Sequence, residues 1–518
     1  KTLFPYTTLF RSDFLGIKNL SILADAIDRV KKIEGITIDI DEIPLDDPKT
    51  FEILAKGQTT GLFQLNGTGM TKFLVDLKPT RIHDINAMVA LYRPGPLESI
   101  PEYIERKHDS EKVKYLDPRM KDILDMSYGV ITYQDDVMMI AIKLGGYSWL
   151  EADKLRKAMG KKIPKEMEEQ KGKLLDGLVK NGMTEKKAME LWKLIEPFAA
   201  YGFNKAHAAS YGRVAYQTAY MKANYPAIYM SAVLTADSGD VEKIGEFIAE
   251  CRRMGIPILP PDINESYSQF TVVPGEKQTI RFGLVTIKNF GQGIATAIID
   301  ERKRGGKFTS LTNFLDRVRD RNLNKKSLEA LIKVGALDAF GVDRGVLIGN
   351  IENLLAYNKE HEKLPTNQDS LFGFMADTST LPTLKLAEVE KVSEKERLAW
   401  EKELLGLYIS GHPLDPYREK IASRDMNIAK AKEIDDTQKE VIIPCIVEMV
   451  KPLNTKKGDM MAFLTLSDFS GSIEAVAFPK LYESSKSLLQ VDKCIAAKGK
   501  VNERNGVKSF VIEKVKEL

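Results

Sequence analysis

Ile287-Lys288-Asn289-Phe290-Gly291-Gln292-Gly293-Ile294 is the stretch on which the reading of this 518-residue chain turns. It fits a helix-hairpin-helix turn, in which two glycines let the backbone turn tightly and bring N–H groups and a helix N-terminus up to a phosphate. In isolation a plain structural αα-turn would read the same way. The surrounding charge tips the balance: residues 281–333 carry twelve Lys/Arg against five Asp/Glu, a net of +7, inside a chain whose total is only +3. A surface facing phosphates is expected there, with Lys288, Gly291 and Gly293 touching DNA backbone without reading its sequence. A second, weaker hairpin is read at Leu331-Ile332-Lys333-Val334-Gly335-Ala336-Leu337.

Outward from the hairpin the patterning changes character on each side. Towards the N-terminus, Ile22, Leu23, Ala26, Ile27 and Val30 predict one apolar face of a helix between Asp13 and Gly35. From about 50 to 250 helical patterns follow one another, broken by loops such as Arg93-Pro94-Gly95-Pro96, which predicts a large α-rich domain. Short extended segments occupy 258–283, starting at Leu259-Pro260-Pro261-Asp262. Towards the C-terminus, residues 358–392 are rich in Pro, Thr, Ser and Asn and read as a flexible connector. After a helical stretch to about 435, Val441-Ile442-Ile443, Phe463-Leu464-Thr465-Leu466 and Ile473-Glu474-Ala475-Val476 alternate like strands, with a hairpin signal at Asn505-Gly506. Five or six such strands predict a small barrel resembling an OB-fold, a common binder of single strands. Phe463, Phe469 and Phe478 are candidate stacking residues there, and for any one of them a place in the barrel core is the simpler expectation.

Length and composition bound the rest. A chain of 518 residues exceeds a single core and suggests three or four domains. No apolar run reaches the ~20 residues that span a bilayer, so no membrane partner is expected. Cys251, Cys445 and Cys494 lie far apart, which argues against a zinc site or a disulfide framework and fits a reducing cytoplasm. Residues 153–173 hold eight Lys/Arg against four Asp/Glu, centred on Leu155-Arg156-Lys157-Ala158-Met159-Gly160-Lys161-Lys162. Such a cluster can clamp a triphosphate, and alone it more often is a solvated helix face. Tyr201-Gly202-Phe203-Asn204-Lys205-Ala206-His207 gathers an aromatic, an amide, a cation and an imidazole in one loop. Thr2 to Ser12 reads as a translated adapter oligonucleotide and is left out of the fold reading.

Taken together, these segments resemble the bacterial C-family DNA polymerases, specifically the replicative alpha-subunit type. Asp13-Phe14-Leu15-Gly16, Gly61-Leu62-Phe63-Gln64-Leu65, Leu91-Tyr92-Arg93-Pro94-Gly95-Pro96-Leu97 and Tyr133-Gln134-Asp135-Asp136-Val137-Met138 stand in the family's order. Arg156 to Lys162, Tyr201 to His207, Leu259 to Asp262 and Glu403-Leu404-Leu405-Gly406 continue it, so the resemblance covers 13–518.

The resemblance implies a multidomain layout in which an α-rich fingers domain with a tandem helix-hairpin-helix module precedes a small β-barrel, the OB-fold. The expected boundaries are a non-native scar at 1–12, the end of a palm and a linker at 13–49, fingers at 50–283 and hairpins at 284–357. A clamp-binding connector at 358–392, a helical linker at 393–439 and the OB-fold at 440–518 follow. The implied chemistry is nucleotidyl transfer from a dNTP to a primer 3′-hydroxyl with Mg²⁺ held by carboxylates. Asp13 matches the third of the family's metal-binding aspartates, and the expected D-x-D pair and most of the palm belong upstream, which implies a fragment inactive alone. Asp39-x-Asp41 comes after that aspartate and reads as a solvated edge instead. Arg156 and Lys157 match positions that grip the triphosphate, and Asn204, Lys205 and His207 would face the nucleotide. Gln368, Leu371 and Phe372, in Gln368-Asp369-Ser370-Leu371-Phe372, match the Q-x-x-L-F peptide that docks on a sliding clamp. Primer-template DNA, dNTPs, the clamp and other replicase subunits are the implied partners, at the forks of a bacterial nucleoid. The competing reading is a non-catalytic module that binds DNA and the clamp.

Overall fold

The computed structural model describes residues 16–161, 164–196, 202–273, 275, 278–362, 384–422, 424, 426–434, 439–455, 458–504 and 507–518. The chain divides into two compact units, Lys1–Ala236 and Asp237–Leu518. No helix among the described residues is long and apolar enough to cross a membrane.

Helices dominate the first unit. Those that matter below are α1 (Lys18–Glu34), α2 (Ile82–Leu91), α3 (Gln134–Lys143), α4 (Trp149–Lys161), α5 (Lys205–Asn224) and α6 (Pro226–Ala236). On α1 the buried residues are Ile22, Leu23, Ala26 and Val30, the stripe that the helical period predicts, and this face packs on α6. Every residue of α2 from Asp84 to Leu91 is buried, as is α6 from Ala227 to Leu234, so these two form the centre of the unit. Close approach of α5 to α2 depends on Gly212, where a Cβ would lie 1.9 Å from the Asn86 Oδ1.

Several polar side chains of α5 are committed to the segment between residues 40 and 65, and the Tyr229 hydroxyl of α6 joins them by donating to the Gly61 carbonyl at 2.8 Å. Gln217 Nε2 donates to the Ile40 carbonyl at 3.0 Å and the Tyr216 hydroxyl to the Pro44 carbonyl at 2.6 Å. The Thr218 hydroxyl accepts from the Phe63 N–H at 3.2 Å, and Asn224 Nδ2 donates to Asp47 at 3.1 Å. Lys222, fully buried, donates to the carbonyls of Gln58 and Thr60, each at 2.8 Å. A buried ammonium is costly unless backbone dipoles replace its water, which these two carbonyls do. Thereby the Gly61–Leu65 loop is fixed on α5, with Leu62, Phe63 and Leu65 buried and Gln64 held at φ 60° on the surface.

The second unit joins a hairpin module to a barrel. Strands β1 (Ile258–Leu259), β2 (Thr271–Val273) and β3 (Thr279–Arg281) form a small sheet in the order β1-β3-β2. Next come α7 (Gln292–Gly305), α8 (Lys325–Lys333) and, beyond further helices, α9 (Glu394–Leu405). The extended segment is tied to the hairpins: Ile263 N–H donates to the Ala336 carbonyl at 2.9 Å, and the buried Arg302 donates to the Ile263 carbonyl at 2.8 Å. Consequently 237–283, counted with the fingers in the sequence reading, lies in the same compact unit as the hairpins.

Strands β4 (Glu440–Asn454), β5 (Met460–Asp468), β6 (Gly471–Ala477), β7 (Cys494–Arg504) and β8 (Val507–Glu517) close in the order β4-β5-β6-β8-β7. Within the barrel β6 and β8 are parallel neighbours, and the other described pairings are antiparallel. Val441, Ile443, Cys445 and Val447 point inward from β4 and meet Leu464, Leu466, Ile473, Ala475 and Phe510. That period of two is what a strand with one buried face requires. Each such large apolar side chain contributes roughly 1.5–3 kcal/mol by leaving water. A bulge between Lys498 and Gly499 re-registers β7 against β8, and a Cβ at Gly499 would lie 2.0 Å from the Val511 carbonyl oxygen. The expected Asn505-Gly506 turn lies outside the described residues.

Candidate functional site

In the first unit, four segments far apart in sequence meet around one backbone contact. Tyr133, just before α3, forms an isolated parallel bridge with Phe203, just before α5, and Gln134 N–H donates to the Phe203 carbonyl at 3.0 Å. Lys205 N–H donates to the Asp135 carboxylate at 2.8 Å. Asn204 caps α5: its Oδ1 accepts the His207 N–H at 2.9 Å, satisfying one of the donors a helix start leaves open. Aromatic rings then run in sequence, Phe203 to His207 at 5.0 Å, His207 to Tyr211 at 4.2 Å and Tyr211 to Phe63 at 5.3 Å between centroids. At the other end the Arg93 guanidinium lies 4.1 Å over the Phe203 ring, and the Lys205 ammonium lies 5.6 Å from the Tyr133 centroid.

Beside this row a cleft of about 100 Å³ is lined by His83, Asn86, Ser127, Tyr133, Asp136 and Lys205. Asp136 is buried, and burial pushes its carboxyl up to about 6 although it accepts the N–H groups of Thr132 and Tyr133, each at 2.9 Å. Burial, reinforced by the Arg81 charge, holds the His83 imidazole below its usual value. The cleft is therefore lined by one cation, Lys205, and by a carboxyl, Asp136, that burial makes a weaker acid than usual.

Of the residues the sequence singled out, Asn204, Lys205 and His207 stand together here and their side chains are exposed. Arg93, Tyr133, Tyr211 and Phe63 were not named as site residues. The segments of Arg93, Tyr133 and Phe63 carry the family resemblance, and the long-range contacts that join these residues run between positions about 70 to 150 apart, which no local pattern reports. Arg156 and Lys157 are engaged elsewhere. Both pair with Asp153 one turn back on α4, at 2.7 Å each, and the two cations hold that carboxylate below its ordinary value. Tyr201, Lys162 and Asp13 lie outside the described residues. Asp39 and Asp41 are exposed, and the Asp39 carboxylate accepts the Asp41 N–H at 3.0 Å. Among the described residues no group of three or more His, Cys, Asp or Glu could hold a metal ion, so the described carboxylates do not fit Mg²⁺.

In the second unit, the hairpin at 287–294 turns differently from the expectation. Asn289, not a glycine, adopts the left-handed conformation, with φ 69°, which asparagine tolerates better than most side chains. Gly291 caps α7 with φ −89° and no side-chain hydrogen bond, and nothing lies within 4 Å of where its Cβ would stand. The glycine thus keeps the start of α7 bare, and a Cβ at Gly293 would approach Asn322 Nδ2 at 3.1 Å. Six of the twelve cations in 281–333 (Arg281, Lys303, Arg304, Arg317, Lys325 and Lys333) pair with carboxylates. Arg302 is buried. Lys288, Lys307, Arg319, Arg321 and Lys326 have no carboxylate within 4.0 Å among the described residues and reach solvent. By contrast, the turn of the second hairpin faces inward: Gly335 is buried, and its Cβ position would meet Arg344, which pairs with Asp338 and Glu401 at 2.6 and 3.2 Å.

On the barrel, the expectation that each phenylalanine is core is corrected. Phe463, Phe469 and Phe478 are 46%, 38% and 53% exposed, and none belongs to the barrel core. Leu464 and Leu466 take the inward positions of β5, so Phe463 points out, across from Lys451 of β4. Phe469 is occupied by the Arg418 guanidinium at 4.4 Å and the His412 ring at 4.7 Å. The clamp-peptide residues Gln368, Leu371 and Phe372 lie outside the described residues.

Comparison with known proteins adds names to these parts. Residues 19–182 match the model of the bacterial DNA polymerase III alpha subunit finger domain, 255–347 a helix-hairpin-helix motif and 447–518 an OB-fold nucleic acid binding domain. DNA polymerase III subunit alpha of Thermus aquaticus is 43% identical over 495 residues, which is 93% of this chain and 40% of that protein. That of Aquifex aeolicus is 41% identical over 497 residues, 96% of this chain and 41% of the relative. The Bacillus subtilis subunit is 38% identical over 511 residues, 98% of this chain and 45% of its own length. The chain thus spans about two-fifths of the length of these curated relatives.

Proposed function

Because the chain belongs, over the stretch it spans, to the bacterial DNA polymerase III alpha-subunit family, we propose that it serves DNA-templated DNA synthesis in chromosome replication, with its first unit receiving the dNTP. The observation that carries this reading is the meeting of Gly61–Leu65, Arg93, Tyr133–Asp136 and Asn204–His207 around the Tyr133–Phe203 bridge. Asn204, Lys205 and His207 face the nucleotide, and Arg156 and Lys157 exchange Asp153 for phosphate oxygens. Charge-assisted contacts of this kind are the main protein contribution to phosphoryl-type transfer. Mg²⁺ is the metal this chemistry calls for, with Asp13 as its ligand in this chain.

DNA is held by the second unit. Lys288 and the bare start of α7 at Gly291 and Gly293 take a duplex phosphate, and the exposed Phe463 beside Lys451 offers a single strand a ring to stack on. Gln368, Leu371 and Phe372 tether the chain to the sliding clamp, and the other replicase subunits assemble around it at the fork, in the cytoplasm. The test is an equilibrium titration of the chain with a fluorescent dATP analogue in the presence of primer-template. Saturable binding is expected, weakened about tenfold in Lys205→Ala and His207→Ala. Absence of saturable binding refutes the nucleotide assignment.

A further inference from the structure

Two cations at the Tyr133–Phe203 bridge are held in the same unusual way. Neither Arg93 nor Lys205 has a carboxylate within 4.0 Å among the described residues. Each instead lies over an aromatic ring, Arg93 at 4.1 Å from Phe203 and Lys205 at 5.6 Å from Tyr133. Those two rings belong to the two residues of a single backbone bridge, so the cations are mounted on one rigid point although they come from segments more than 100 positions apart. The Arg93 Nε is buried and donates to nothing among the described residues. Asp135, two residues after Tyr133, is engaged by the Lys205 backbone N–H and not by the ammonium.

A structural arginine normally finds a carboxylate or a carbonyl for its donors. A guanidinium stacked on a ring keeps its planar fork aimed outward, with part of its side-chain entropy already lost before a ligand arrives. Lys205 opens α5, a helix of 20 residues, so the positive end of its dipole adds to the same place. We infer that Arg93 is a phosphate-binding residue, which with Lys205 forms a two-cation seat for a phosphate group on the Phe203–Tyr133 bridge. This rests on the reading that the first unit receives a nucleotide, and adds to it the residue that grips the anion. Phe203 is then a positioning residue, acting through Arg93. A phosphate could be presented by the triphosphate of a dNTP or by the backbone of a DNA strand, and the guanidinium fork suits both.

The experiment uses the full chain with three probes: a fluorescent dATP analogue, inorganic tripolyphosphate as its competitor, and a labelled duplex. Arg93→Gln keeps the reach of the side chain and removes the charge. Expected is a loss of about tenfold for dATP and tripolyphosphate with duplex affinity kept, if the seat takes the triphosphate, or the converse if it takes a strand. Phe203→Leu should lose a smaller share in the same arm, with its melting temperature close to the parent. Wild-type affinity of Arg93→Gln for all three probes overturns the inference while leaving the nucleotide reading in place, whereas a parent chain that binds no probe overturns both. Should Arg93→Gln fail to fold, Arg93→Lys decides, because it keeps charge and loses the planar fork. About threefold or greater weakening is expected, and parent affinity would overturn the assignment.

Discussion

At the scale of single residues, Asp136 makes the stability of the first unit depend on pH. Its carboxyl is raised from 3.8 to about 6, chiefly by burial, and only partly restrained by two backbone N–H groups and the Lys205 charge. A raised acid stabilises the fold while protonated, so its contribution is complete below 3.8 and is lost as the pH climbs through about 6. Calorimetry between these values should therefore show the first unit losing on the order of 2–3 kcal/mol from this group. Asp136→Asn, which keeps an acceptor for the N–H pair, should flatten that slope; an unchanged slope would place the titration elsewhere. Asp153 poses the opposite case, a carboxylate lowered by two cations on its own helix. If Arg156 and Lys157 serve phosphate, Asp153 competes with it, and Asp153→Asn should tighten dATP binding by about twofold to threefold, the scale of an exposed ion pair. Weaker binding in that variant would mean that Asp153 orients the cations and does not mask them.

At the scale of elements, what the sequence revealed follows from how local each signal is. The stripe Ile22, Leu23, Ala26 and Val30 needs only one helix to explain it, and it is buried in α1. Five alternating strands needed only a period of two, and they close the barrel. The stacking of Arg93 on Phe203 depends instead on how helices pack, and Arg93-Pro94-Gly95-Pro96 reads in sequence merely as a break. Phe463 is an instructive miss, because its outward direction was legible: Leu464 and Leu466 take one parity of β5, which assigns Phe463 and Thr465 to the other. Phe463→Ala should thus weaken binding of an oligo-dT strand by roughly 1–3 kcal/mol without lowering the melting temperature, since the ring is 46% exposed. Loss of stability with intact binding would return Phe463 to a packing role. Of the basic hairpin region, charge counting saw +7, but half of the twelve cations are neutralised by neighbours. Duplex affinity should accordingly depend on Lys288, Arg321 and Lys326. Each Ala substitution there should flatten the log–log salt slope by about one unit, and Lys325→Ala, whose cation pairs with Glu352, should flatten it less.

For the whole molecule, a net charge of +3 on 518 residues gives no strong pull towards nucleic acid, and the local cations supply only salt-sensitive contacts. Contacts of this kind alone would release DNA often at physiological salt. A tether to a ring around the duplex changes this, because it replaces affinity for DNA by a high effective concentration near the primer end. Gln368-Asp369-Ser370-Leu371-Phe372 has the composition such a tether needs: two adjacent apolar anchors and an amide that can hydrogen-bond at the rim of their pocket. Docking such a peptide from a Pro-, Thr- and Asn-containing connector costs ordering entropy. Short peptides of this kind concentrate their energy in the aliphatic and aromatic anchors. Leu371→Ala with Phe372→Ala should then cost on the order of 2–4 kcal/mol in clamp affinity, measured by titrating the chain against purified clamp. Duplex binding by the hairpins should be untouched in the same variant, because the substituted residues lie outside the cation-rich stretch 281–333 in the sequence. Equal clamp affinities for parent and double variant would move the tether to another surface, whereas a parallel loss of duplex binding would mean that the substitutions disturb the second unit itself.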